Sequence, residues 1–487
     1  MTLLLKHKIS SGIGWTFTQL IVDSVFGLVV KLILARLLIP EHFGIVGMAI
    51  VFTGLISTIN ELGMASALIQ FKQENLRRIH YDTVFWLSIL FSLTTFVLLV
   101  VVIGPFAAWF YDEPILTLVI SVIGISVFLN PLNLVHRVQL TRDLRFKALS
   151  IIASTASIAG GVGAITLALL GAGVWSIVAQ GIIATLVSIP LMWRTTRWLP
   201  RFKFSKHALK DVIGFGVYDT FLRALVFLTK NIDYLLIGWL LGAKLLGIYT
   251  LAFLLTDTFR QKIMAVLNKV MFPVYSQLQD NRSAIKNYYL QVVKYNTLIV
   301  TLFMVIFFLY SVPLLDLLFG PEWDLASFPL QAMAIASVIH AVGGTSSAVL
   351  KGIGRVDIDF KMHIIKTLLI TIPIFLIGIY FYGINGAAVA VVIHKLASRF
   401  MYQYQLKQLV GVGERDVWQA AKPSLLASLA TIPVALIYYA YFDISQVFVL
   451  LIVILLTGII YMATSLFFIR TEISRVMSFL ITRYRSQ

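Results

Sequence analysis

The stretch TVFWLSILFSLTTFVLLVVVIGPFAAWF, residues 83–110, contains no charged side chain. About 20 apolar residues are enough for a helix to cross a bilayer, so this stretch predicts a transmembrane helix. Arg77 and Arg78 lie just before it, whereas Asp112 and Glu113 follow it. The predicted helix therefore has one basic end and one acidic end.

The same pattern recurs along the whole chain. Apolar segments occupy residues 12–34, 43–66, 83–110, 115–135, 148–169, 173–193, 213–240, 245–270, 292–315, 326–350, 363–382, 386–408, 422–441 and 446–468. The gaps are short, so each crossing reverses the direction of the chain. Lysine and arginine lie mainly in every second gap and at both ends, and the positive-inside rule assigns those regions to the cytoplasm. The sequence predicts a multi-pass protein of the bacterial inner (plasma) membrane with both termini cytoplasmic.

Composition restricts the class of protein further. Hydrophobic residues make up 59% of the chain and the formal net charge is +17. The basic residues are spread over short loops without a stripe of stacking aromatics, so anionic membrane lipids are the expected partner and nucleic acid is not. The chain has no cysteine, which excludes disulfides and thiolate metal sites. Neither a Walker motif nor a hydrolase motif is present, so we predict no enzyme activity, catalytic residue, metal or cofactor.

An internal repeat indicates how the helices are grouped. The matches are Leu37-Leu38 with Leu240-Leu241, Gly44-Ile45 with Gly247-Ile248, Ala49 with Ala252, Pro105 with Pro313 and Gly171 with Gly383. We predict an all-α protein of about 14 transmembrane helices, in two pseudo-symmetric six-helix lobes plus two C-terminal helices. The predicted boundaries are 1–194 for the N-lobe, 195–212 for a basic cytoplasmic linker, 213–410 for the C-lobe, and 411–487 for the last two helices and a basic cytoplasmic tail.

The seventh apolar segment, 213–240, carries Asp219, Arg223, Lys230 and Asp233. At about 100° per residue these four side chains fall within roughly 80° of one another on a helix. Two interpretations are open, since the spacings also suit two ion pairs in a packed interface. We favour a helix that lines a hydrated cavity, because a charge in mid-bilayer is costly unless it is paired or faces water.

Weaker polar stripes lie on three other segments. Their candidate residues are Gln19 and Asp23 on the first helix, Asn60 and Glu61 on the second, and Asp257 and Gln261 on the eighth. Cavity lining and interhelical hydrogen bonding are equally good interpretations of these stripes. Lys31, Arg36 and Arg260 lie toward helix ends, where long basic side chains can snorkel. For His340 and His394 we favour structural hydrogen bonds over titration in a coupling cycle.

Several short motifs resemble one known family. They are Ile13-Gly14-Trp15, residues 35–44 (ARLLIPEHFG), residues 61–70 (ELGMASALIQ), Asn231-Ile232-Asp233, Phe272-Pro273, residues 319–323 (FGPEW) and Gly354-Arg355-Val356-Asp357. From about residue 10 to 365 the chain resembles the polysaccharide-exporter family of Wzx-type lipid-linked oligosaccharide flippases. Within that family it is most similar to the colanic- and teichuronic-type exporters.

The resemblance implies the fold of multidrug and lipid II flippases, with two lobes around a central cavity. It also implies a cargo of undecaprenyl-pyrophosphate-linked oligosaccharide repeat units, which alternating access moves from the inner to the outer leaflet for cell-surface polysaccharide biosynthesis. H+ and Na+ are the candidate coupling ions, and the polysaccharide polymerase machinery is a candidate partner. Pyrophosphate needs cationic partners within the membrane, and Arg223 and Lys230 are the first candidates.

Two alternatives belong to other classes. A cation-coupled small-molecule antiporter of the multidrug type would share the fold, but it should favour acidic cavity residues, whereas the candidates here include basic ones. A membrane-embedded polymerase or transferase is disfavoured by the short outer loops and the missing catalytic groups.

Overall fold

A computed structural model describes residues 2–60, 64–71, 76–209, 223–443 and 446–485. Within these ranges the chain is helical almost throughout and contains no strand, which confirms the all-α prediction. The chain divides into two compact units, Met1–Gly247 and Ile248–Gln487. The predicted lobe and linker boundaries remain a prediction.

Besides a helical stretch at residues 206–209, the described ranges of the first unit contain the following helices and the start of a further one. They are α1 (Thr2–Leu37), α2 (Pro40–Asn60), α3 (Met64–Gln70), α4 (Arg78–Leu98), α5 (Gly104–Tyr111), α6 (Ile115–Leu129), α7 (Pro131–Arg142), α8 (Phe146–Leu169), α9 (Val174–Thr196), α10 (223–230) and the first part of α11 (Ile232–Phe253). A π-helical segment, Leu99–Ile103, joins α4 to α5. Helix α8 packs between α1 and α9, and α6 packs against α2, α4 and α9.

The second unit begins within α11 and continues through both short and long helices. They are α12 (Phe259–Gln277), α13 (Arg282–Leu309), α14 (Ser311–Phe319), α15 (Ser327–Gly343), α16 (Ser346–Gly352), α17 (Val356–Ile365), α18 (Ile372–Val410), α19 (Glu414–Tyr441) and α20 (Val447–Arg485). Two π-helical segments, Leu254–Thr258 and Lys366–Thr371, connect α11 to α12 and α17 to α18. Helix α13 packs against α15 and α19, and α15 packs against α18.

Eleven helical stretches in the described ranges are long and apolar enough to cross a membrane. One of them, Val356–Val410, is divided by the non-helical Gly383 and so covers two predicted segments. Several helices continue past the predicted spans into polar sequence, as at Arg78 and Gln277. Hydropathy marks only the apolar part of a helix, so it misses these extensions. The number fourteen remains a prediction.

Two glycines with left-handed backbone conformations reverse the chain within continuous helical assignments. Gly242 (φ 79°) divides α11, and Gly383 (φ 56°, ψ −133°) divides α18. Gly173, at the start of α9, has nearly the same conformation as Gly383, with φ 57° and ψ −129°. This likeness favours an alignment of Gly383 with Gly173, two residues after the predicted match at Gly171.

The repeat is also visible in a reciprocal contact within the first unit. A Cβ atom on Gly44 would collide with the backbone oxygen of Ala243, and one on Gly247 would collide with that of Pro40. These four residues form two pairs with the same spacing, because 243 − 40 and 247 − 44 both equal 203. Reciprocal contacts between equivalent positions are the pattern of a two-fold relation. Glycine lets the two backbones approach this closely.

Candidate functional site

Helix α10 and the start of α11 carry three of the four charges predicted on the seventh segment. Arg223 and Lys230 on α10 are exposed, and Asp233 on α11 is half-buried. The helical assignment is interrupted at Asn231, whose Nδ2 donates a 2.8 Å hydrogen bond to the carbonyl oxygen of Phe227. The stripe is therefore divided between two helical segments. Asp219 lies outside the described residues.

The ring of Phe227 fixes α10 against a neighbouring helix. It lies where a Cβ atom of Gly54 on α2 would be. Arg223 and Lys230 are four residues before and three residues after Phe227, so they flank this contact on α10. The cations are thus held on a packed helix while their own side chains stay exposed.

Asp23 on α1 has a defined interhelical partner. Its Oδ1 accepts a 2.9 Å hydrogen bond from Ser154 Oγ on α8. Gln19, one turn earlier, is half-buried, and Lys31 and Arg36 are exposed near the end of α1. For Asp23 the geometry favours interhelical bonding over the cavity-lining alternative.

The two candidates on the second helix cannot be placed in this way. Glu61 lies outside the described residues, and so does the side chain of Asn60. Their predicted contribution to a polar stripe stays a prediction.

Asp257 lies in the π-helical segment that precedes α12, and its side chain is almost fully enclosed. The residue is 7% exposed, and Arg260 is 4% exposed. Arg260 donates from Nε to Asp257 Oδ1 at 2.9 Å and also from Nη2 to the same oxygen. Gln261, which is exposed, donates from Nε2 to Oδ2. The prediction that Arg260 snorkels was wrong, because Asp257 provides a buried charge partner one turn away.

Further cations and two imidazoles surround this pair. Lys395 interacts electrostatically with Asp257. His340 interacts in the same way with Arg260, Lys395, Lys366 and His394. We call Arg260, Lys366, Lys395, His340 and His394, together with Asp257, the cationic cluster.

Hydrogen bonds hold two members of the cationic cluster in place. His394 Nδ1 and Thr371 Oγ1 share a hydrogen bond of 2.7 Å. Lys366 Nζ donates to Ser398 Oγ at 3.5 Å. The preferred interpretation of His394 as hydrogen-bonded structure agrees with the first of these contacts.

Lys366 and Lys395 were not predicted as site residues. A usable signal was present at Lys395, which lies nine residues inside the predicted segment 386–408 (395 − 386), too far from its end for easy snorkelling. Lys366 lies only three residues inside the segment 363–382 (366 − 363), where a basic side chain gives no such signal. The partners are distant in sequence, however. Lys395 is 138 residues from Asp257 (395 − 257), so spacing along one helix could not connect them.

Sequence comparison decides the family. The family described as "Polysaccharide biosynthesis protein" matches residues 33–329, more than half of the chain. The chain belongs to this family. It is 24% identical to the lipopolysaccharide biosynthesis protein WzxC of Escherichia coli (strain K12), over 85% of this chain and 84% of that protein. It is 27% identical to the teichuronic acid biosynthesis protein TuaB of Bacillus subtilis (strain 168), over 73% and 74% of the two chains.

Solved structures with similar folds agree with this membership. The lipid II flippase MurJ in an inward closed conformation matches with a TM-score of 0.68 at 18% identity, over 95% of this chain and 100% of that chain. An inward-facing multidrug resistance MATE family transporter matches with a TM-score of 0.62 at 18% identity, over 80% and 95%. These likenesses show the fold alone. The predicted resemblance to Wzx-type exporters is confirmed, and the chain is a multi-pass inner-membrane protein.

Proposed function

We propose that this protein is a flippase that moves lipid-linked oligosaccharide repeat units across the membrane for the biosynthesis of a cell-surface polysaccharide. The observation that carries this proposal is the family match over residues 33–329. The MurJ-like fold is consistent with it, since it supplies an all-helical transporter architecture. The work of such a protein is binding and release, with no bond made or broken.

The finer features of the proposal rest on the charges of the chain. The cargo carrier is undecaprenyl pyrophosphate, and the exposed cations Arg223 and Lys230 on α10 are its proposed contacts. A pyrophosphate forms its strongest hydrogen bonds with charged donors. Gln19 and Asp233 are proposed to contribute polar groups around the sugar, whereas Asp23 is assigned to the contact with Ser154 on α8. H+ or Na+ is the proposed coupling ion, and the polymerase machinery the proposed downstream partner.

The proposed orientation has both termini in the cytoplasm. Its support is the alternation of basic gaps, which the positive-inside rule assigns to the cytoplasmic side. Since the chain has no cysteine, Lys203→Cys in the exposed segment after α9 gives a single label site. An impermeant maleimide added to intact cells should leave it unlabelled. Labelling from outside would reverse the assigned orientation.

The function can be tested with purified protein in proteoliposomes that contain undecaprenyl-pyrophosphate-linked oligosaccharide. Transport is measured as the fraction of lipid-linked sugar that a non-permeant glycosidase or lectin can reach. The wild type should redistribute the lipid. Arg223→Ala and Lys230→Ala should each weaken cargo binding by roughly ten- to a hundredfold, because a hydrogen bond to a charged group contributes about 1.5–3 kcal/mol.

Lys407→Ala is the matched control, because Lys407 is an exposed cation near the end of α18. Its transport should equal that of the wild type. Failure of the wild type to redistribute the lipid, combined with efflux of small cationic drugs by the same liposomes, would favour the multidrug-type antiporter instead.

A further inference from the structure

The segment that follows α9 lies along the first turns of α4, and side chains of α4 bond to its backbone. Arg78 Nη2 donates to the carbonyl oxygen of Leu199 at 2.9 Å, and Trp86 Nε1 donates to that of Arg201 at 2.8 Å. We call residues 197–206 the basic strap. These two bonds attach its first half to α4.

Two further bonds run in the opposite direction, from the backbone of the basic strap to α4. Asp82 Oδ1 accepts a 3.0 Å hydrogen bond from the backbone N–H of Arg201, and Thr83 Oγ1 accepts a 3.1 Å bond from that of Ser205. Asp82 and Thr83 are buried, so little water competes for these acceptors. All four bonds use backbone atoms of the basic strap, and its charged side chains take no part in them.

An aromatic ring of the basic strap lies beside an exposed apolar stripe on α4. Phe202 stacks on Trp86, with ring centroids 4.6 Å apart and an angle of 23° between the ring planes. Exposed apolar side chains follow Trp86 on α4 at Leu90, Leu93 and Val97. At about 100° per residue, Trp86 and these three positions fall within about 60° of one another. An exposed apolar stripe on a membrane-spanning helix contacts acyl chains, so Phe202 lies beside a lipid-facing surface.

Distances along the helix place this stacked pair at the edge of the hydrocarbon core. Leu90 is the first large apolar side chain of α4 that is exposed, and Trp86 precedes it by about 6 Å. The helical stretch Arg78–Tyr111 has 34 residues, or about 51 Å, whereas the core is about 30 Å thick. The polar first turns of α4 therefore extend beyond the core. Trp86 then lies at the boundary, where tryptophan is favoured.

The basic strap combines positive charge with exposed aromatic rings. Its exposed basic side chains, together with that of the last turn of α9, are Arg194, Arg197, Arg201, Lys203 and Lys206. Residues 194–209 contain no acidic residue. Phe202 is 90% exposed, and Phe204 is exposed as well. Basic and aromatic side chains thus alternate from residue 201 to residue 204 at the height of the lipid headgroups.

We propose that the basic strap is a docking surface for anionic phospholipid in the leaflet at the basic end of α4. Phe202 and Phe204 insert at the boundary between headgroups and acyl chains, while Arg201 and Lys203 bind lipid phosphates. Charged donors form strong hydrogen bonds with phosphate, and the rings between them supply the apolar contact that a lipid satisfies and a soluble anion does not. The surface uses none of the residues proposed to contact the cargo, so the proposal is independent of the flippase function.

The first test measures the depth of the basic strap in nanodiscs that contain the full-length protein. Since the chain has no cysteine, Phe202→Cys carries a single nitroxide label. With phosphatidylglycerol present, oxygen should relax this label more than a water-soluble nickel chelate does, as it should a label at Leu90→Cys. A label at Asp280→Cys, in the exposed turn between α12 and α13, should be reached better by the chelate. Phe204→Cys gives a second position if Phe202→Cys lowers abundance.

The second test measures how much phosphatidylglycerol, in a background of phosphatidylcholine, gives half-maximal protection of the label at position 202 from the chelate. Arg201→Gln and Lys203→Gln should each raise this amount about fivefold, the equivalent of about 1 kcal/mol for one basic residue at an anionic surface. Both changes keep the backbone bonds of the strap. Arg282→Gln and Lys407→Gln are the matched controls, because each removes an exposed cation from the second unit, and they should leave the amount unchanged.

Each outcome bears on the proposal. Protection that rises with phosphatidylglycerol and is weakened by both strap substitutions, but not by the controls, supports it. A label that the chelate reaches in every lipid mixture overturns it and leaves the surface to a soluble partner. Equal protection in pure phosphatidylcholine also overturns it, because the strap would then be an apolar anchor without preference for anionic lipid. None of these measurements involves transport, so a failure of the flippase function would leave them unchanged.

Discussion

Helix α10 and the segment around Asp257 carry similar charge patterns but place them in opposite environments. Arg223 and Lys230 on α10 are exposed, whereas Arg260 is 4% exposed and bonded to Asp257. In sequence each is a basic residue within a turn of an acid in an apolar segment. Helical spacing therefore identifies pairs that can form, and tertiary packing decides whether their side chains are enclosed or exposed.

The largest effect should come from Asp257→Asn. The change removes the negative partner of a buried guanidinium, and breaking a buried ion pair from one side costs about 3–5 kcal/mol. We expect little folded protein, measured as the monodisperse fraction extracted in detergent. Asp257→Asn combined with Arg260→Gln removes both charges and should recover abundance. Normal abundance of the single variant would show that water or another anion already compensates Arg260.

The matching change at Asp219, four residues before Arg223 in the sequence, should behave differently. If Arg223 faces water and cargo, Asp219→Asn should change the amount of folded protein only slightly, because water screens the remaining cation. Asp219→Asn combined with Arg223→Gln should then be stable but defective in transport, by the equivalent of about 1.5–3 kcal/mol in cargo affinity. Folded yield and lipid redistribution are measured together. A fully active double variant would remove Arg223 as a substrate contact and support a packed ion pair.

The close backbone contacts of Gly44 and Gly247 involve no charge, so they test how much steric overlap the first unit tolerates. Gly44→Ala and Gly247→Ala each place a Cβ atom against the backbone oxygen of a neighbouring helix. Overpacking of this kind costs about 1–3 kcal/mol, and the two variants should lose similar amounts because their contacts are reciprocal. The measurement is the apparent unfolding temperature in detergent.

Gly27→Ala is the control for this pair, since nothing lies within 4 Å of its added Cβ. It should be neutral or slightly stabilising, because alanine favours a helix by up to about 1 kcal/mol over glycine. Equal tolerance at Gly44 and Gly27 would mean that the close approach relaxes easily.

The helices themselves could be predicted from the sequence, because hydropathy is a local property. The predicted segments 115–135 and 148–169 lie in or overlap the helices α6, α7 and α8. The helix ends were less accurate, since polar turns such as that beginning at Arg78 continue a helix without an apolar signal.

The cationic cluster could be predicted only in part. Asp257 and Gln261 stood out because they share one helix face, and His340 and His394 were recognised as intramembrane histidines. Lys366 and Lys395 join them because the segment Leu254–Thr258 packs against α15 and α15 packs against α18, which brings together residues more than a hundred positions apart. Contacts of that range follow from the fold and have no periodic signature in the sequence.

The smallest effect should be at Ser154, the partner of Asp23. Ser154→Ala removes a hydroxyl donor from a carboxylate that is only half-buried, so water can replace the donor and the loss should lie at the lower end of the about 1.5–3 kcal/mol of a hydrogen bond to a charged group. We expect a small drop in the apparent unfolding temperature with transport unchanged, because the bond joins α1 to α8 and need not touch cargo. Asp23→Asn keeps an acceptor oxygen for Ser154, so it should lower the apparent unfolding temperature by a similarly small amount. A selective loss of transport in Asp23→Asn, with Ser154→Ala unaffected, would return Asp23 to the substrate-binding residues and show that its bond to Ser154 is not needed for that role.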